Sequence, residues 1–426
     1  MSLRRTSLKR LLERYRRNPL WSNTAELGAL QIIGYLLPLV TLPYLLRVLG
    51  TDNYGLLGLT LAVAGNFGSL ADFGFGYTAV RAIASSRQDP ARLPIAFSTF
   101  VIAKLALALP VWAALIACSY LLPLRPDTAS LLRIASPLLP LWALNLGWYF
   151  QGLQTLRPSV TWQIAVRLGG LLLLFSIVRR RTDLAAALCV ELSMAFASAC
   201  GSWILVRRLA PVPFRWPSTE AVRQAVLDSA KVFASSLASL LYTNGLTLIL
   251  GFAASREQVA YYVIAERVNN AIKRLLSPFL QALVPHVSQI QERNRAKALD
   301  FLRLLLHRVV LLGLIATLLI AAAAPILISL IGGRAALPAL RVLLAMLPQS
   351  LLVAVSNIVG VQTLFAFGLI AQVVRAQFFV GALTVGAAYV AATHFGAIGV
   401  AVTGTAAEAL IVLAVFRASR RHLNFP

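Results

Sequence analysis

The chain is poor in the residues that most enzymes and most soluble domains rely on. Only 13% of its 426 residues are charged, and acids are the scarcest of these: 15 Asp and Glu stand against 39 Lys and Arg. So few charges cannot solvate the surface of an ordinary soluble domain of this length. Histidine occurs four times, at His286, His307, His394 and His422, with no partner at metal or triad spacing, so no catalytic constellation emerges. Cysteine occurs three times, and Cys118, Cys189 and Cys200 all lie in apolar runs at no ligand spacing, which points away from a disulfide framework or a zinc site. No phosphate loop of the GxxxxGK[ST] kind is present, which argues against ATP-driven work within this chain and leaves no cofactor to expect.

What is present is hydrophobic length. The chain is 59% hydrophobic, with a mean hydropathy of +0.77, the composition of an all-α polytopic membrane protein. Runs able to span fall near residues 25–46, 54–80, 93–122, 131–152, 159–178, 184–205, 228–252, 259–285, 304–331, 338–360, 369–391 and 396–416, which predicts twelve helices. With the N-terminus inside, short cytoplasmic segments carry 22 Lys and Arg against 7 outside, so both termini are expected in the cytoplasm. Arg179, Arg180 and Arg181 run against this bias beside Asp183. The net charge of +24 reads as a basic face against anionic lipid, with no nucleic-acid motif to compete.

Residues 1–20 read as a basic amphipathic segment, or as a basic tail. A proline-bearing stretch at 207–227 divides the chain into expected six-helix lobes of 21–206 and 228–416, followed by a basic tail at 417–426. An internal repeat agrees: GLQTL at Gly152 to Leu156 returns as GVQTL at Gly360 to Leu364, and Tyr54 and Tyr262 share the same offset of 208. Between a tight turn at Gly50 to Asn53 and Val80, the glycines at 55, 58, 65, 68, 74 and 76 predict a helix packed closely against neighbours.

The segments PYLLRVLGTDNYGLLGL and LADFGFGYTAVRAIA, with the shorter WYFQGLQ and AERV, closely resemble the Wzx-like bacterial flippases for lipid-linked oligosaccharides. That family belongs to a superfamily with the MATE drug exporters and the lipid II flippases. The resemblance implies a MATE-like, V-shaped bundle with a central cavity. It also implies flipping of an undecaprenyl-pyrophosphate-linked oligosaccharide across the bacterial cytoplasmic (inner) membrane for O-antigen, capsule or exopolysaccharide synthesis. A downstream polymerase or ligase is then an expected partner, alongside membrane lipids. A MATE-like ion-coupled exporter of small molecules shares the fold and stays open, as does a polytopic glycosyltransferase.

Charges inside apolar runs are costly and mark functional candidates. They are Glu26, Asp72, Lys104, Arg167, Glu191, Lys231, Glu266, Arg267, Lys273, Arg274, Arg375 and Glu408. On the eighth helix Glu266, Asn270, Lys273 and Ser277 share one helical face with Arg267 and Arg274 beside it, a face suited to water or to mutual pairing. Arg81, Lys231, Arg267 and Lys273 are the candidates for holding pyrophosphate. Glu26, Glu266 and Glu408 are the candidates for coupling to an ion, or else structural partners of buried cations. Trp148, Tyr149 and Phe150 read as an interfacial belt, or as a surface for sugar stacking.

Overall fold

The computed structural model describes the backbone of residues 19–243, 245–365 and 369–423. Side chains are described from residue 40 onward, apart from Lys231, Arg334, His422, most of 234–244 and 274–296, and a few between 361 and 370. Every regular element among these residues is helical: α1 Pro19–Asp72, α2 Phe75–Ser86, α3 Arg92–Leu121, α4 Pro126–Ala135, α5 Leu138–Ala143, α6 Gly147–Leu153 and α7 Arg157–Ile177 come first. They are followed by α8 Leu184–Leu209, α9 Thr219–Thr243, α10 Gly245–Ala253, α11 Arg256–Arg293, α12 Arg295–Gly332, α13 Pro338–Ser356 and α14 Ile370–Leu423. A π-helical run, Asn357–Phe365, continues α13.

Eight stretches among the described residues are long and apolar enough to cross a membrane, and the chain is a multi-pass membrane protein. Two of these, Val40–Ser86 and Ala371–Arg421, are 47 and 51 residues long. A left-handed glycine interrupts each, Gly50 at φ 80° and Gly396 at φ 58°. A left-handed residue interrupts helical hydrogen bonding, and glycine takes it without strain. Side chains bond at both breaks. Asn53, three residues on, donates to the Leu49 carbonyl at 3.3 Å and to the Arg181 carbonyl at 2.9 Å, and Gln258 of α11 accepts from the Ala397 amide at 2.9 Å. The expected turn at Gly50 to Asn53 is therefore a single residue, with Asn53 already helical.

Backbone contacts divide the chain into two compact units: residues 1–37, 67–178 and 185–233, and residues 38–66, 179–184 and 234–426. The first is built around aromatics. Phe75, Phe97, Phe100, Trp148, Tyr149 and Phe150 are all buried, with Phe97 edge-on to Tyr149 at 5.0 Å and stacked on Trp148 at 5.9 Å. This corrects the reading of Trp148, Tyr149 and Phe150 as an interfacial belt or sugar platform: they are core. The expected single helix at 131–152 is also corrected, because α4, α5 and α6 replace it. Ser202 of α8 accepts from the Leu146 amide at 3.1 Å, Trp203 donates to the Leu144 carbonyl at 3.0 Å, and Asn145 takes the Gly147 amide at 2.9 Å. Backbone groups released by the break thus find partners, as an apolar medium demands.

The helix expected at 54–80 is broken in the same way, at Phe73 and Gly74, both at positive φ. Thr78 and Ser229 share a hydrogen bond of 2.6 Å beside the break, and a Cβ on Gly74 would meet the Ser229 carbonyl oxygen at 2.8 Å.

The second unit has an aliphatic core of α12, α13, α14 and the π-helical run, with Leu302, Ile358, Val359, Leu364, Val373 and Val415 among its buried members. Against α11 lies the glycine-bearing part of α1. A Cβ on Gly55 would run into the Arg256 carbonyl oxygen, and one on Gly58 would reach Val263 at 2.9 Å. Small residues there bring two backbones together, the close packing that the glycine pattern predicts.

Candidate functional site

The polar groups of the second unit collect where four helices meet. On α11, residues at i, i+3 and i+7 fall on neighbouring positions of one face, so Glu266, Asn269 and Lys273 line up toward α10, α13 and α14. Thr247 of α10 donates to Glu266 at 3.3 Å. Gln349 of α13 accepts on one oxygen from both Lys273 Nζ at 3.0 Å and Asn269 Nδ2 at 3.2 Å. Ser350 donates to the Asn269 oxygen at 2.7 Å, which leaves the asparagine amide bonded at both ends. Asn269, Thr247, Gln349, Ser350 and Glu408 are all buried. Glu408 of α14 lies within electrostatic reach of Lys273, and among the described residues its Oε2 has no hydrogen-bond partner. On the adjoining face, Arg267 places its guanidinium 5.3 Å from the centroid of the Tyr54 ring, a cation–π contact with a tyrosine that is fully buried.

Four of the residues singled out in the sequence, Glu266, Arg267, Lys273 and Glu408, therefore belong to one unit. Arg81 lies on α2 of the other unit and is exposed. The side chains of Lys231 and Glu26 lie outside the described residues. Thr247, Asn269, Gln349 and Ser350 were not among the sequence candidates. The available signal was the Gln349-Ser350 pair, two polar residues in the middle of the otherwise apolar α13.

A second buried charge sits in the first unit. Lys104 of α3 pairs with Asp72 at 3.0 Å, its side chain 8% exposed against 45% for the aspartate. The other Asp72 oxygen accepts the Gly76 amide at 3.1 Å. One carboxylate thus neutralises a buried ammonium and caps the first turn of α2, where negative charge is favoured. Of the out-of-pattern arginines, Arg179 and Arg180 donate their amides to Asp183 at 2.9 and 2.8 Å, and these bonds hold its carboxyl below the usual carboxylate range. No group of three or more His, Cys, Asp or Glu able to hold a metal occurs among the described residues.

In this arrangement, the buried Lys104 and the half-buried Arg267 and Lys273 sit among hydrogen-bonding side chains in a helical interior. Similarity to known proteins agrees with such a design. Two proteins described as O-antigen transporters are each 27% identical to the chain. The one from Escherichia coli (strain K12) matches over 91% of this chain and 94% of its own length, and the one from Shigella dysenteriae over 60% and 64%. Among solved structures, an inward-facing multidrug-resistance MATE transporter of the MOP superfamily superposes with a TM-score of 0.72 at 17% identity, covering 91% of this chain and 94% of that one. The lipid II flippase MurJ in an inward closed conformation does so with a TM-score of 0.66 at 13% identity, over 93% and 87%. These structural likenesses establish a MATE-like fold. The family model for polysaccharide biosynthesis proteins matches residues 20–291, well over half of the chain, and the chain belongs to that family.

Proposed function

We propose that the chain is a flippase that carries undecaprenyl-pyrophosphate-linked oligosaccharide units across the bacterial cytoplasmic membrane, for O-antigen, capsule or exopolysaccharide synthesis. It acts as a transporter and not as an enzyme. In this reading twelve helices form two six-helix lobes with both termini in the cytoplasm, and the delivered unit passes to a polymerase or ligase. The supporting geometric observation is the polar cluster around Lys273, which packs on the buried Asn269, Gln349 and Ser350 of a helical unit. The Lys273 ammonium on Gln349 and the Arg267 guanidinium over Tyr54 are the cations of this cluster, and ammonium and guanidinium groups are the usual phosphate ligands. Arg267 and Lys273 are the proposed phosphate contacts, and Arg81 and Lys231 of the first unit are further proposed phosphate contacts. Glu408 and Glu266, with Glu26, are the proposed carriers of a coupled ion. Family membership and the O-antigen transporter relatives support the polysaccharide substrate class.

The test is complementation. In a native-host deletion strain without a second flippase, the wild-type gene is expected to restore surface polysaccharide and to clear lipid-linked units from the inner leaflet. Unaltered surface polymer in the deletion strain would refute the proposal. Export of cationic dyes in place of polymer would move the chain to the small-molecule exporters.

A further inference from the structure

The stretch between α8 and α9, Ala210 to Ser218, is fastened to the first unit and yet turns its largest apolar side chains outward. The Tyr149 hydroxyl donates to the Ala210 carbonyl at 3.2 Å, the Arg215 amide donates to the Ser98 hydroxyl at 2.9 Å, and Val212 packs on the aromatic core. Pro211, Pro213 and Pro217 restrict the backbone between these fixed points. Trp216 is nevertheless 85% exposed and Phe214 45%, and their rings meet edge to face at 5.5 Å. Beside them stand three cations: Arg207 and Arg208 in the last turn of α8, and the exposed Arg215 between the two aromatics.

A pre-ordered aromatic pair left in water gains nothing, whereas at a bilayer interface each ring has an apolar body to bury and Trp an N–H for the headgroup layer. Its position continues α8, one of the helices long and apolar enough to span, so the stretch emerges at the end of a membrane-crossing segment. The arginines fix the sign of the partner: an anionic headgroup attracts them and a zwitterionic one much less. We propose that residues 207–217 form a lipid-binding strap, in which Phe214 and Trp216 enter the interface and Arg207, Arg208 and Arg215 bind phosphate of anionic phospholipid headgroups. The proposal is independent of what the protein transports.

The full chain is reconstituted in nanodiscs of phosphatidylcholine, with and without phosphatidylglycerol, at high lipid-to-protein ratio. Because the chain has seven tryptophans, the emission of Trp216 is isolated as the difference between wild type and Trp216→Phe, a change that keeps an apolar ring and leaves the folded state intact. The expected result is a blue-shifted Trp216 component, protected from aqueous iodide and quenched by lipids brominated near the headgroup. Protection should rise at least twofold with phosphatidylglycerol, and Arg208→Gln with Arg215→Gln should abolish that rise. A component that stays red-shifted and iodide-quenched in both lipids overturns the strap. Equal protection in both lipids overturns its headgroup preference. Protection that appears only at low lipid-to-protein ratio assigns the surface to a second copy of the chain and likewise overturns the proposal.

Discussion

Gln349 has one acceptor oxygen and two donors upon it, the Lys273 ammonium and the Asn269 amide. In a membrane interior water cannot replace a lost acceptor, so each abandoned donor costs on the order of 1–3 kcal/mol, more for the charged one. Gln349→Leu is expected to lower the melting temperature of the detergent-purified protein markedly, while Gln349→Glu, which keeps the acceptor and adds a counter-charge, is expected to retain most of it. The Asp72–Lys104 pair predicts an asymmetry. Removing the aspartate strands an ammonium whose side chain is only 8% exposed and uncaps α2. Removing the lysine leaves a carboxylate that is 45% exposed and can hydrate. Breaking a buried pair costs about 3–5 kcal/mol, and replacing a buried charge by an apolar side chain of similar shape is often nearly neutral. Thermal unfolding of both variants should therefore find Asp72→Ala well below Lys104→Met. Equal losses would mean that neither the stranded ammonium nor the lost capping bond adds to the cost of breaking the pair.

Among the elements, α1 and α11 make the clearest contrast. A Cβ on Gly55 would collide with the Arg256 carbonyl, whereas one on Gly65 meets nothing within 4 Å. Gly55→Ala is expected to separate the helices and reduce the yield of monodisperse protein. Gly65→Ala should be neutral or stabilising by up to about 1 kcal/mol, the helical preference of alanine over glycine. Both are glycines in one apolar run, and the sequence pattern that predicts a packed helix does not say which of them is packed. The same limit explains the misread breaks. The ends of α3, α7, α8 and α13 fall close to where apolar length places them, because length in a bilayer is a property of the run itself. The gap at 144–146 is stabilised by Ser202 and Trp203 of another helix, and no local signal announces a partner some 60 residues away. Charged members of the polar cluster, Glu266, Arg267, Lys273 and Glu408, were legible because a charge in an apolar run stands out by its cost. Their neutral partners Asn269, Gln349 and Ser350 stood out less, since an amide or hydroxyl costs far less to bury than a charge and nothing local shows that it is bonded to another helix.

For the whole molecule, the basic bias of the short loops fixes the expected orientation. Single cysteines introduced near Arg125 and Arg334 should react with an impermeant reagent on intact cells, and those near Arg215 and Arg295 only after permeabilisation. Labelling at Arg215 from outside would reverse that orientation. The proposed function makes a stricter demand, because substrate and cations must meet during transport. A charge-assisted contact to phosphate in a shielded site contributes roughly 1.5–3 kcal/mol, so neutralising one weakens binding by about ten- to a hundredfold. The decisive measurement is translocation of an undecaprenyl-pyrophosphate-linked oligosaccharide in sealed proteoliposomes containing only the purified chain, read by accessibility of the sugar to an impermeant glycosidase. The proposed function predicts protein-dependent translocation in the wild type and a loss of that order in Arg267→Gln and Lys273→Gln at equal reconstitution. Translocation no faster than in protein-free vesicles, or unchanged in both variants, would contradict it.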